Sequence, residues 1–529
     1  METTNMKIPR FTDTMGSGTS TSPKHTQVVI HHRQYTPGQT TGGLSVLFTI
    51  LCIVDLFGVF PVVALPKSII SCGIYGIPLV LSVFGLQLYT AVLLGRSWLI
   101  AQELSPSIKE KTRCPYAAVA DLAFGSHARI AVTFLINATI FGAGVPNFIF
   151  AAQSMQLFWW KITGGEVGVT YCTWMILIGF LLCPVMWLGS PKDMKPIALT
   201  SVGIVLTVAL LTWICILTDE ESPPSANDLL EYVPDVRDFL VAYGIIAFQF
   251  DIHPMLLTLQ VDMKDSRRVH GAALGGFLVT GALFAVTSAL AALRYGNRLH
   301  NNILQGMPPS ITLYIVALLV TLQLCLSSAV GNSALFQHIE DLLHIPRTFG
   351  FKRCLIRSGI VALAVFLGES VPRFDLVMGL VGSTLTGPLM FIFPPLFFLK
   401  LCFEKTRQTE ETILLLNEAI DVGYGDKKQY GGLSRNGGLS KFPLIHQNAL
   451  LPEFTFRSRY DIEPDEGYKI MWYDILLAVV VMVMGVVATI VATYSSWSDA
   501  ISSAIFTQPC LMNATAAARS FILSTKEDM

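Results

Sequence analysis

Apolar residues in this chain fall in long, nearly charge-free runs separated by short polar connections. A helix needs about 20 consecutive apolar residues to cross the hydrocarbon core of a bilayer. Eleven segments qualify: 44–72, 76–100, 130–152, 171–189, 197–217, 239–263, 271–293, 309–335, 354–370, 375–402 and 470–496. The pattern predicts an all-α membrane protein with eleven transmembrane helices. The first and tenth segments exceed what a perpendicular span needs, so each is expected to tilt or break.

Between and around these runs lie three polar stretches. Residues 1–43, rich in Ser, Thr, Gly and Pro, read as a disordered cytosolic tail without a signal peptide. Residues 404–469 form a cytosolic loop, in which Thr409–Ile420 has the spacing of a short amphipathic helix. Glu410 and Glu411 precede Leu414, Leu415 and Leu416 there, a spacing shared by helices packing on the membrane face and by acidic dileucine sorting signals. Residues 497–529 form an extracytosolic tail.

Charge sets the orientation. Lys and Arg accumulate on the cytosolic side of membrane proteins. With residue 1 in the cytosol, only Lys67, Lys161, Arg237, Arg294, Arg298, Arg373, Arg519 and Lys526 of the 36 basic residues fall on the far side. That far side instead carries the acidic connection Asp219, Glu220, Glu221, Asp228, Glu231 and Asp235. It also carries Asn513-Ala514-Thr515, a glycosylation sequon usable only after translocation. A net charge of −1 provides no basic field for nucleic acid. The ten cysteines are dispersed without CxxC spacing, so neither zinc nor a disulfide scaffold is expected.

Two spans are interrupted near mid-membrane. The first carries Asp55, then Gly58-Val59-Phe60-Pro61, then Pro66. Pro61 lacks an N–H and its ring collides with the carbonyl of Phe57, while Gly58 permits dihedrals that other residues resist. The sixth carries Gln249-Phe250-Asp251-Ile252-His253-Pro254 at its centre. Unwound backbone is tolerated at membrane depth only where it lines a protein cavity or holds a ligand. Interrupted helices in corresponding positions of two halves point to a transporter site. Because the breaks lie five spans apart, the two halves must enter the membrane from opposite sides.

Four stretches then resemble a known family. They are GVFPVVALP at Gly58–Pro66, CPYAAVADLAFG at Cys114–Gly125, AFQFDIHPMLLTLQVDMK at Ala247–Lys264, and Gly379–Pro395 with its Gly-Ser-Thr and Phe-Pro-Pro. Together they resemble the amino acid/auxin permease family over roughly residues 44–403 and 470–496. The resemblance implies a leucine-transporter-like fold, ten core helices in a 5+5 inverted repeat plus an eleventh, and amino acids as substrates. The chain departs from the family pattern at Phe60 or Pro61, where a second glycine is usual, and at Asp251, where a small residue is usual. Both departures fall in the expected pocket.

A zwitterion needs donors for its carboxylate and acceptors for its ammonium. Amides near Phe60–Val63 and carbonyls of Asp55–Gly58 meet at one unwound turn. The candidate substrate-binding residues are Gly58, Val59, Phe60, Asn137, Phe248, Phe250 and Asp251, with Gly142 beside Asn137. A carboxylate at mid-membrane costs about 2.5–3.5 kcal/mol on insertion scales and marks a pathway or relay. Asp55 and Asp251 are therefore candidates for ion coupling, with His253 as a proton acceptor. Structural alternatives stand beside these: a neutral hydrogen-bonded Asp55, an Asp251 that caps a helix, a satisfied core His253. Ser327 and Ser328 in the eighth span offer hydroxyls which, with Asp55 and Gly58, can cage Na⁺; they equally suit helix packing. Gly331 and Asn332 stand in reserve on that helix. The coupling ion is thus H⁺ or Na⁺, with symport by alternating access as the expected cycle.

Other classes fit less well. Eleven spans match no seven-helix receptor, and no pore-loop repeat is present. The clusters Asp251/His253 and Glu369/Arg373/Asp375 lack a nucleophile arrangement or metal set, which argues against an enzyme. An amino-acid sensor signalling through 1–43 and 404–469 is the alternative. Plasma membrane and lysosomal or vesicular membrane share the predicted topology, and the expected partners are an amino acid and membrane lipid.

Overall fold

A computed structural model describes residues 43–110, 114–163, 169–188, 194–219, 234–345, 349–429 and 472–503. The sequon at Asn513, residues 1–42 and 504–529, and most of the acidic connection and of the 404–469 loop lie outside these residues, while 497–503 continue the last helix instead of starting a tail.

Each apolar run forms helix. The first is α1 (Val46–Phe57), α2 (Phe60–Val63) and α3 (Leu65–Ile70), and the second is α4 (Gly76–Leu104). A short helix, α5 (Pro115–Phe124), leads into the third, α6 (Ser126–Ile162). Then come α7 (Tyr171–Leu188) and α8 (Met194–Thr218). The sixth run is split into α9 (Val236–Gln249) and α10 (His253–Asp262), followed by α11 (Val269–Arg294), α12 (Ile311–Leu342) and α13 (Phe351–Ser370). The tenth run starts as α14 (Phe374–Val381), passes through two wide π turns at 382–392, and continues as α15 (Phe393–Gln429). The last helix is α16 (Trp472–Ser503).

Among the described residues, eight helices are long and apolar enough to cross a membrane, and Val46–Phe57 and Tyr171–Trp187 are shorter apolar helices. The protein is an all-helical, multi-pass membrane protein. The ninth run is the polar outlier, because α13 carries Lys352, Arg353, Arg357 and Glu369.

The segment Thr409–Ile420 is not a separate helix but the continuation of α15. Lys400–Glu404, Arg407–Glu404 and Arg407–Glu411 pair at helical spacing and carry the helix onward. Ile413, Leu414 and Leu415 stand exposed on it rather than packed.

Close approach of helices depends on small residues. A Cβ on Gly382 would lie 2.1 Å from the Gly244 carbonyl oxygen, so α9 is pressed directly on the wide turns after α14. The wide turns release carbonyls, and α16 answers them: Thr493 Oγ1 donates to the Ser383 carbonyl and Ser496 Oγ to that of Gly379. Elsewhere, buried Arg357 donates to Glu340 at 2.6 Å and to the Met186 carbonyl at 2.5 Å. That cation ties α7, α12 and α13 together. Cys172, at the start of α7, is disulfide-bonded, whereas the eight cysteines Cys52, Cys72, Cys114, Cys183, Cys215, Cys325, Cys354 and Cys402 among the described residues form no disulfide.

Candidate functional site

The first break is made by glycine rather than proline. Gly58 adopts φ 62°, ψ −151°, a region that essentially only glycine occupies. Its N–H still bonds the Val54 carbonyl, which closes α1. Pro61 sits in the first turn of α2, where a missing N–H costs nothing. The amides of Val62 and Val63 are already taken by the Val59 carbonyl, at 2.9 and 3.1 Å. The donors expected across Phe60–Val63 are therefore fewer than the sequence suggested, since Pro61 has none.

The second break spans Phe250–Ile252. Asp251 closes it by capping α10: its Oδ1 accepts from the His253 backbone N–H and lies 3.0 Å from His253 Nδ1. His253 Nε2 in turn lies 3.0 Å from Thr90 Oγ1 on α4. The second carboxylate oxygen, Asp251 Oδ2, is buried without a partner. A side chain bridges the two breaks, because Gln249 Nε2 donates to the Phe57 carbonyl that the first break releases.

Between the breaks lies a cavity of about 120 Å³. Of the residues expected from sequence, Gly58, Phe60, Phe248, Asp251, Ser327 and Ser328 line it, as do the reserve residues Gly331 and Asn332. Val59 is buried away from it. Phe250 packs edge-on to Phe57 and Phe84, with ring centroids 5.4 and 5.3 Å apart, and is core. His253 is fully buried behind Asp251. Asn137 and Gly142 lie outside the lining; an added Cβ on Gly142 would meet Val381.

Asp55 is buried on α1, which packs against α8 and α11, and one of its carboxylate oxygens has no partner. The four groups of an Na⁺ cage are therefore split. Gly58, Ser327 and Ser328 border the cavity, Asp55 does not, and Gln323 stands against Gly58.

Sequence reasoning missed Thr139, Asn147, Gln323 and Thr386, all of which line the cavity. Asn147 Nδ2 donates to Ser328 Oγ at 3.2 Å, and Asn332 Nδ2 to the Ser328 carbonyl at 2.9 Å. A signal did exist. Thr139, Ala143 and Asn147, and likewise Gln323, Ser327 and Gly331, recur every four residues, forming small or polar stripes on α6 and α12.

The family model for transmembrane amino acid transporter proteins matches residues 44–420. Amino acid transporter AVT1B of Arabidopsis thaliana is 22% identical over 408 residues, covering 75% of this chain and 71% of its own. The vesicular inhibitory amino acid transporter of Xenopus tropicalis is 24% identical over 248 residues, 44% of this chain and 47% of its own. The crystal structure of MhsT in complex with L-phenylalanine aligns over 68% of this chain and 96% of that one, at 14% identity and a TM-score of 0.46. With most of its helical core matched by that model, the chain belongs to the transmembrane amino acid transporter protein family.

Proposed function

We propose that this transporter moves an amino acid by rocking-type alternating access, with H⁺ as the coupling ion. The observation that carries the reading is the cavity bounded by both breaks. Its lining supplies an apolar wall from Phe60 and Phe248 and a polar floor from Asn147, Ser327, Ser328, Asn332 and Asp251. A small zwitterion needs that combination. The released backbone at Gly58–Phe60 and the Asp251 carboxylate are the groups assigned to its charges.

H⁺ is preferred over Na⁺ because the oxygen ligands proposed for Na⁺ are separated in this state. Two carboxylates beside the breaks, Asp55 and Asp251, each have an oxygen without a partner, and such groups suit a proton in transit. The topology assigned to the cycle is eleven spans, a 5+5 inverted repeat plus one, with the N-terminus cytosolic. Disulfide bonding of Cys172 supports that assignment, since disulfides persist on the oxidising side of a membrane. A vesicular relative favours an internal compartment over the plasma membrane.

The test is reconstitution of the full chain into liposomes and uptake of a labelled amino acid panel under separate H⁺ and Na⁺ gradients. Uptake driven by ΔpH alone is expected. Uptake that needs Na⁺ assigns the other ion, and no gradient-dependent uptake of any amino acid overturns the transport reading.

A further inference from the structure

The cavity between the breaks is bordered by charge of one sign. Among the described residues Asp251 is its only ionisable lining residue; no Lys, Arg or His borders it. Asp251 Oδ1 accepts from the His253 backbone N–H and lies 3.0 Å from His253 Nδ1, while Oδ2 is buried without a partner. The other buried side-chain atoms of lining residues left without a partner are Gln323 Oε1, Thr139 Oγ1 and Thr386 Oγ1, all oxygens. Gln323 stands against Gly58 at the first break, and Asp251 lies in the second. Each break is thus marked by an unsatisfied acceptor, and one of the two is a carboxylate.

Asp251 and His253 are counted together, because groups this close titrate as a pair. With Asp251 ionised and His253 neutral, the pair carries one negative charge. One further proton, on either residue, brings it to zero. Tyr116 of α5 acts on Asp251 electrostatically, and its own hydroxyl donates to the Leu389 carbonyl. The other elements packed against this break are α3, α4, α6, α14, α16, the wide turns and the turn at 266–268. Among the described residues, none of them brings an ionisable side chain to the cavity border.

A net charge enclosed at membrane depth is costly, and a buried charge is tolerated where a partner offsets it. A closed, loaded cavity is therefore favoured when substrate and pair sum to zero. A neutral amino acid meets that condition only with the protonated pair. A cationic amino acid carries one net positive charge and meets it with the unprotonated pair, its side-chain cation taking the carboxylate. An acidic amino acid would need two protons on the pair, and no bordering cation replaces them.

We infer that the site accepts cationic amino acids without a proton and neutral amino acids only with one, Asp251 being the residue that sets this specificity. Resting on the proposed amino acid site, this makes H⁺ and the substrate's side-chain cation alternatives for one carboxylate. Either route moves one positive charge per substrate. Acid acts with opposite sign on the two classes: the proton that a neutral amino acid requires removes the charge that a cationic one requires.

The test uses the full chain in liposomes at equal pH on both sides, with a K⁺ diffusion potential set by valinomycin and a pH dye inside. The probes are tritiated lysine, ornithine, alanine, leucine and glutamate. With the interior negative, lysine or ornithine should enter without acidifying the lumen. Alanine or leucine should enter with a proton, and glutamate should stay out. Lowering pH on both sides should raise KM for the cationic probes and lower it for the neutral ones. Asp251→Asn should reduce uptake of lysine relative to alanine or leucine at least about tenfold, and Asp251→Glu should restore it. Where these variants cannot be purified, the wild-type proton count decides. A proton entering with lysine, alanine or leucine entering without one, glutamate uptake, or uptake of neutral probes with no cationic one each overturns the inference and leaves the transport reading standing. No uptake of any amino acid removes both.

Discussion

Replacing Gly58 by alanine attacks the feature on which the whole site rests. An L-residue at φ 62°, ψ −151° occupies a region whose strain is worth about 1–3 kcal/mol. Its Cβ would also press the Gln323 amide at 3.1 Å. The backbone has no cheap escape. Winding α1 onward through residue 58 would place Pro61 inside a helix, opposite the Phe57 carbonyl, at about 3 kcal/mol or more. That carbonyl already accepts from Gln249, so the sixth helix would lose a partner as well. The strain is therefore expected to be retained and expressed at the cavity. A penalty of about 1–3 kcal/mol on one conformation corresponds to a roughly 5- to 150-fold change in its population.

Gly85 on α4 is the matched control. It lies in a regular helix, and an added Cβ there would meet nothing within 4 Å. Alanine at that site should be neutral or gain up to about 1 kcal/mol in helix propensity. The assay pairs uptake into proteoliposomes with thermal unfolding of the purified protein. Gly58→Ala should lose at least about fivefold in uptake, while Gly85→Ala retains wild-type uptake. Wild-type uptake by Gly58→Ala, or an equal loss in Gly85→Ala, would refute the assignment of the break to this glycine.

Further outcomes follow from the same geometry. Asp251→Ala removes the cap of α10 and the partner of His253 Nδ1, and should lower stability by about 1–3 kcal/mol in thermal or denaturant unfolding. Asp251→Asn keeps an accepting oxygen and should fold, yet lose ΔpH-driven accumulation; normal accumulation in that variant would remove Asp251 from the mechanism. Gly485→Val drives a side chain into Phe391, only 2.4 Å from an added Cβ, and should cost about 1–3 kcal/mol by separating α16 from the wide turns. Loss of stability should exceed that of Thr493→Val, which removes a single hydroxyl donor worth about 1 kcal/mol. Cys172 should react with a membrane-impermeant maleimide from the extracytosolic side only after reduction, and labelling without reductant would contradict its disulfide.

Depth in the membrane was legible in the sequence, whereas direction around the helix axis was not. A glycine, a proline or a carboxylate inside an apolar run breaks the pattern wherever it faces, so both interruptions could be located from composition alone. Which way a side chain points depends on the neighbours a helix acquires, and there the reading divided. Asp55 lies one turn before the break yet is buried outside the cavity lining, because α8 and α11 pack on α1. Phe250 lies inside the second break yet packs against Phe57 and Phe84, since an aromatic ring beside other rings gains more than one facing a polar cavity. Asn137 and Asn147 are both amides on α6, and only the four-residue stripe through Thr139 and Asn147 identifies the one that faces α12. Gln323 shows the cost of reading residues singly. Alone it is a polar residue in an apolar span, but one turn before Ser327 and opposite Gly58 it becomes part of the cavity wall at the first break. The periodicity that hides a helix's contacts in a linear search therefore recovers them once one contact fixes the angle. Here that contact is Gly58, whose missing side chain is where the Gln323 amide rests.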